Sequence, residues 1–170
     1  MLRLFAERRA PGAFTVYGFA VAGVVLIADQ SSKFWVLGML NLDAGGPGSR
    51  IQVFDPWFNL TMVWNRGISF GLFQANSLVQ RLVLVVVSLV IAGLLTHWMF
   101  QASRRLQATA FAMIIGGAIG NVIDRFSHGA VVDFLDFSGL YFPYVFNVAD
   151  AAISLGVAVM ILDMVLCRNR

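Results

Sequence analysis

Apolar residues run along this chain in four long blocks divided by short polar breaks. No charge interrupts Ala10 to Ala28, and the apolar character continues to Leu37. Leu82 to Ser103 is uncharged apart from a possible proton on His97. Leu106 to Ile123 is uncharged and rich in Gly and Ala, and Val145 to Cys167 is apolar except for Asp150 and Asp163. A helix needs about 20 mostly apolar residues to cross the hydrocarbon core. The blocks therefore predict four transmembrane helices over about 12–36, 82–103, 106–125 and 145–167. Outer segments 38–80 and 126–144 complete a single membrane domain spanning 1–170.

The 38–80 segment carries its own pattern. Gly45, Gly46, Pro47 and Gly48 supply turn chemistry. Ile51 and Val53 then alternate with polar neighbours, and Asp55-Pro56 reads as a turn. Phe58, Leu60, Met62 and Trp64 alternate with Asn59, Thr61, Val63 and Asn65, a period of two that predicts a strand. A short hairpin or cradle on the bilayer surface follows, its aromatic residues suited to the interface. Val131 to Phe137 fits a further strand or a helix.

Composition sharpens the class. The chain is 59% hydrophobic and 12% charged, where a soluble domain carries about 25% charge. A water-soluble fold is excluded. The net charge of +3 comes from scattered basic residues, so there is no footprint for nucleic acid. The one cysteine, Cys167, allows neither an internal disulfide nor a cysteine-rich metal site. The first span is too long for a cleavable signal and reads as a retained anchor. Arg3, Arg8, Arg9, Arg104, Arg105, Arg168 and Arg170 fall on one side of a four-span chain. Arg50, Arg66, Arg81 and Arg125, with Lys33 at the boundary, fall on the other. The bias predicts an inner-membrane protein with both termini cytoplasmic and the 38–80 and 126–144 segments outside.

Ionisable groups inside spans are costly and point to function. Asp29, Asp124, Asp150 and Asp163 lie within or at the ends of the spans. Asn121 and Asp124 end the third span, and Asn147 and Asp150 begin the fourth, each pair three residues apart on one helical face. The two spans run antiparallel, so Asp124 and Asp150 are expected at one depth. Two close carboxyls share a proton, and such a pair can polarise a carbonyl and activate water. The macrodipole favours charge on Asp150 at a helix start, so the shared proton is expected mainly on Asp124. Helix capping, or pairing with Arg125, is the structural alternative for these acids. Asp133 and Asp136 form the competing pair, also readable as solvated loop acids. Asp29 and Lys33, at i,i+4, predict an ion pair that holds the first helix. Asp163 reads as an interfacial residue. His97 and His128 have no partner at ligand spacing, so no metal and no cofactor is expected. A proton-coupled carrier and a non-catalytic scaffold are the rival classes. A carrier wants its acids at mid-membrane depth, and a presenilin-type protease needs a Gly-x-Gly-Asp element that is absent.

Five ordered motifs resemble the bacterial lipoprotein signal peptidases. They are Asp29-Gln-Ser-Ser-Lys33, Asn65-Arg-Gly-Ile-Ser-Phe70, Gly116-Gly-Ala-Ile-Gly-Asn-Val-Ile-Asp-Arg125, Val132-Asp133-Phe134 and Phe146-Asn-Val-Ala-Asp150. The family often has Ala where Ile68 and Ser69 stand. The resemblance implies a membrane aspartic endopeptidase, sensitive to globomycin, without a metal. It cuts diacylglyceryl-modified prolipoproteins just before the lipidated cysteine. Asp124 and Asp150 match as catalytic acids; Asn65, Gly67, Asn121, Arg125, Asp133 and Asn147 match positions that shape or support the site. The implied fold is an all-α bundle of four transmembrane helices with a small outer β-cradle, in contact with membrane lipids. Arg66 and Arg125 are candidates for headgroup phosphates. Gly116, Gly117 and Gly120 predict close helix approach. A monomer suffices for such a site.

Overall fold

A computed structural model of the chain describes residues 10–67 and 77–168. Arg3, Arg8, Arg9 and Arg170, the motif residues Ile68, Ser69 and Phe70, and the side chains of Cys167 and Arg168 lie outside that description. Four helices carry the fold: α1 (Thr15–Phe34), α2 (Leu78–Met99), α3 (Arg105–Ser127) and α4 (Val148–Arg168). Each contains a stretch long and apolar enough to cross a membrane. A π-helical turn, Trp35–Met39, extends α1.

Local chemistry sets the helix limits. Ser77 caps α2 by accepting from Gln80 N, and the Gln80 side chain answers to the Ser77 backbone. This capping box starts α2 earlier than the apolar run does, at Leu78, and takes Arg81 into the helix. Asn147 caps α4: its Oδ1 accepts from Asp150 N at 2.9 Å. Val145 and Phe146, expected inside the fourth span, form a short strand instead.

Helix α3 is the central post. Of its apolar stretch 67% is buried, against 22%, 22% and 28% in the stretches of α1, α2 and α4. Small residues make this possible. A Cβ on Gly116 would lie 2.6 Å from Ala22 O, and one on Gly117 would lie 2.5 Å from Ala149 O. The backbones of α1 and α4 thus rest directly on α3. Gly117→Val is expected to destabilise the bundle by about 1–3 kcal/mol through overpacking. Thermal unfolding in detergent reads this; an unchanged midpoint would deny the close approach. The apolar side chains left exposed, such as Val86, Val90 and Leu94 on α2, suit a lipid surround.

The sheet is antiparallel, in the order β1 (Arg50–Phe54), β2 (Phe58–Asn65), β3 (Val131–Asp136), β4 (Val145–Phe146). The period of two read in 58–65 is the β2 strand, and within 131–137 the residues Val131–Asp136 form a strand. Ile51 pairs with Leu60, Val63 with Asp133, and Leu135 with Phe146. Val36, Leu42, Leu60, Met62, Val132 and Phe134 pack together beneath the sheet. A second core joins Ala22, Leu95, Met99, Phe111, Ile114 and Ile115 between the helices. With Val132 and Phe134 in the sheet core, alternation sends Asp133 to the opposite face.

Candidate active site

The site forms where the end of α3, the start of α4, the end of α1 and strand β3 meet. Helix α1 brings Asp29, Gln30 and Lys33. Lys33 Nζ lies 2.8 Å from Asp29 Oδ2, so the i,i+4 ion pair forms. The same ammonium lies 2.8 Å from Asp124 Oδ2 and donates to Asn121 Oδ1 at 3.2 Å. Asp29 reaches across to α4, where its Oδ1 accepts from Ala149 N at 2.9 Å. Asn147 and Asp29 thereby satisfy two first-turn N–H groups of α4. A side chain on Gly120 would overlap the Asp29 carboxylate, which explains a glycine there.

Asp124 is almost wholly committed. Its Oδ2 faces Lys33 and accepts from Val132 N at 3.0 Å, and its Oδ1 accepts from Gln30 Nε2 at 3.2 Å. Its exposure is 2%. These contacts tie the end of α3 to α1 and to the start of β3.

The second set of contacts joins Asp150 to Asp133. Asn147 serves both: its Oδ1 accepts from Asp150 N, and its Nδ2 donates to Asp133 Oδ1 at 2.6 Å. Asn65 Nδ2 donates to Asp133 Oδ2 at 2.9 Å. Asn121 Nδ2 donates to Asp150 Oδ1 at 2.9 Å, while its Oδ1 accepts from both Asn147 and Lys33. Asp133 is 1% exposed. Burial pushes its carboxyl up to about 7, and the negative charge of Asp150 pushes in the same direction. The bonds from Asn65 and Asn147, and the charge of Lys33, work against that rise. Asp150 also lines an apolar cavity of about 640 Å³.

The expectation that Asp124 and Asp150 form the working pair therefore meets a different geometry. Asp124 is held by an ammonium and two N–H donors, whereas Asp133 accepts from Asn147, the residue that caps α4 at the backbone N–H of Asp150. Asp136, the other member of the competing pair, stands apart. It bonds Thr61 Oγ1 at 2.5 Å and Ser138 N at 2.9 Å. Burial resists, yet these bonds and Arg50 hold its carboxyl below the usual range.

The remaining candidates have identifiable tasks. Arg125 is buried and donates to Asn121 O at 3.2 Å and to Gly67 O at 2.8 Å. It grips the backbone after β2, so the headgroup reading of Arg125 gives way to a clamp on Gly67. Gly67 N in turn donates to Asn65 Oδ1 at 2.9 Å, which orients the amide that faces Asp133. Asp163 is buried and paired with Arg104 at 2.8 Å. Gln30 was not expected. Its Nε2 joins Asp29, Asp124 and Gly120 O, and the signal was an amide between Asp29 and Lys33 at the end of an apolar span. No group of three or more His, Cys, Asp or Glu among the described residues is arranged to hold a metal ion.

Residues 21–166 match the family model for signal peptidase (SPase) II. The chain belongs to the signal peptidase II family. The lipoprotein signal peptidase of Caulobacter vibrioides is 46% identical over 152 residues, covering 89% of this chain and 88% of that one. The enzyme of the same name from Methylobacterium sp. is 41% identical, covering 91% and 92%. That from Vibrio vulnificus is 45% identical, covering 84% of each. A bacterial membrane enzyme solved at 2.3 Å by the in meso method shares the fold with a TM-score of 0.79. It is 24% identical, over 92% of each chain. Family membership makes this chain a multi-pass bacterial membrane protease that removes signal peptides from prolipoproteins.

Proposed function

We propose that this signal peptidase is an aspartic endopeptidase whose working acids are Asp133 and Asp150. The observation that carries the reading is the Asn147 side chain, which donates to the Asp133 carboxylate and accepts from the backbone N–H of Asp150, bringing both residues to the start of α4, where Asp150 borders an apolar cavity. Asp124 becomes the anchor that joins α1, α3 and β3. The proton expected on Asp124 moves with this reassignment to Asp133, whose carboxyl titrates near neutrality.

In this mechanism Asp133 donates its proton to the oxygen of the scissile carbonyl. Ionised Asp150 takes a proton from water as the water oxygen bonds to the carbonyl carbon. Collapse of the tetrahedral intermediate breaks the C–N bond. The amine leaves with the proton held by Asp150, and Asp133 recovers its own. The bond cut is the amide just before the diacylglyceryl-modified cysteine of a prolipoprotein. The expected orientation has both termini cytoplasmic and the sheet at the outer face of the inner membrane, supported by the distribution of Arg and Lys. The decisive test is a gel-shift assay of a diacylglyceryl-modified prolipoprotein with purified protein in detergent. Cleavage that survives a chelator supports the reading, and a well-folded protein that leaves the substrate intact overturns it.

The pair needs one proton. As pH rises through about 7 that proton leaves Asp133, so kcat/KM is expected to fall on the alkaline side with a midpoint near 7. Stability follows the same group. Its folded value lies above the ordinary 3.8, so the folded state binds this proton more tightly than the unfolded chain. The contribution is full below about pH 3.8 and is lost as pH rises through about 7. A pH–rate profile that stays flat to pH 9 would contradict the activity prediction.

A further inference from the structure

Each working acid receives an N–H from a carboxamide, but the two carboxamides are not backed alike. Asn147 Nδ2 donates to Asp133 Oδ1 at 2.6 Å, while Asn147 Oδ1 accepts a neutral backbone N–H, that of Asp150, at 2.9 Å. Asn121 Nδ2 donates to Asp150 Oδ1 at 2.9 Å, while Asn121 Oδ1 accepts from the ammonium of Lys33 at 3.2 Å. Lys33, Asn121 and Asp150 thus stand in one line of donors and acceptors that runs from α1 through α3 to α4. The Lys33 side chain is 4% exposed and Asn121 is 7% exposed, so little water screens that line.

An ammonium only donates, so it faces the oxygen end of the Asn121 amide and turns the nitrogen end to Asp150. That end offers only N–H. A carboxylate meets it with full charge and every lone pair, and a carboxylic acid meets it with less of both. Bonds in such a line polarise one another, and the one to an ionised acceptor gains most. Charge on Asp150 is thereby favoured. Other charges face the pair. Arg125 on α3 acts on Asp150, Asp133 and Asp124 together, and Asp133 on β3 feels the charge of Asp150. Asp29 on α1 and Asp124 on α3 hold Lys33 between them, each at 2.8 Å. Two carboxylates around one ammonium leave a net negative charge, so across space this group opposes charge on Asp150. Only along the bonds of Asn121 does Lys33 favour it.

We infer that Asn121 is a positioning residue that couples the Lys33 ammonium to Asp150, making Asp150 the base of the pair and leaving the shared proton to Asp133. The inference rests on the reading that Asp133 and Asp150 are the working acids. It explains the residue type at 121. A carboxamide accepts at one end and donates at the other; an Asp there would only accept, and a Leu would do neither.

The experiment follows kcat/KM against pH for a dipalmitoylglyceryl-modified prolipoprotein peptide. Its acid limb reports the ionisation that frees the base. Asn121→Leu is expected to move that limb up by about one pH unit or more, a loss of about tenfold below the limb, with KM within about twofold of wild type. The pair Lys33→Met with Asp29→Asn removes the ammonium and leaves the net charge around it unchanged. It is expected to move the limb in the same direction, and to add little to Asn121→Leu when combined with it. A limb that stays in place in folded Asn121→Leu overturns the inference, and so do shifts that simply add. A second measurement needs no variant. Lys33 is the only lysine in the chain, so ¹⁵N-lysine labelling gives a single ammonium signal. That signal is expected to shift with the midpoint of the acid limb in wild type and to stop doing so in Asn121→Leu. Should the variants not fold, the wild-type signal decides, and one that stays flat across the limb overturns the inference. A wild type that cleaves nothing, or an Asp150→Asn protein that cleaves normally, strikes the proposed function itself, which separates the two ideas.

Discussion

Asp133→Asn and Asp150→Asn are each expected to lower prolipoprotein cleavage by about 100- to 10,000-fold while leaving the protein folded. Asn keeps the shape of either carboxyl, and at position 133 it still takes the bond from Asn147 or Asn65 through its carbonyl oxygen. What it removes is the titrating proton at one position and the base at the other. The expectation for Asp124→Asn is different in kind. The working pair remains, but Lys33 loses one of its two carboxylates and the start of β3 loses its tie to α3. Its loss is expected in thermal stability first, and in cleavage in proportion. The measurement is the gel-shift assay on variants whose unfolding curves have been recorded. A folded Asp124→Asn protein as stable as wild type yet inactive, beside an active Asp133→Asn, would return the pair to Asp124 and Asp150.

Lys33→Met is expected to destabilise the protein by about 3–5 kcal/mol, the cost of leaving a buried charge without its partner. Two carboxylates depend on this one ammonium, each at 2.8 Å, and all three side chains are at most 4% exposed. Adding Asp29→Asn to Lys33→Met removes one stranded charge and is expected to restore part of the loss. Thermal unfolding in detergent or nanodiscs reads both effects. If Lys33→Met unfolds at the wild-type temperature, the ammonium is not the keystone described here.

The helices were legible because lipid demands long apolar runs, and the strand at 58–65 was legible because its alternation is regular. The site was legible only in part. Asn-x-x-Asp at the end of one span and the start of the next did bring both segments to one level of the bundle. What stayed hidden was the return of Asp133. Read as helix or strand, 131–137 puts that acid in different places. It reaches Asn147 because β3 pairs with β2 in a register that sets Val63 opposite Asp133. Register belongs to the partner strand as much as to the segment itself. Lys33 misled in another way. The i,i+4 spacing accounts for its bond to Asp29 and gives no sign of its second partner on α3. Gln30 escaped because an amide at the edge of a span carries no charge to attract notice.

The Asp29–Lys33 pair also bears on how the chain is built. The first helix enters the bilayer before its distant partners have been synthesised. Within that one helix the ammonium and the carboxylate cancel, so the newborn segment presents no net charge to the hydrocarbon. When α3 arrives, Lys33 takes on Asp124 as well. When α4 arrives, Asp29 receives the N–H of Ala149. The bond between α1 and α4 thus closes only once α4 is in place, on an acceptor that α1 already holds.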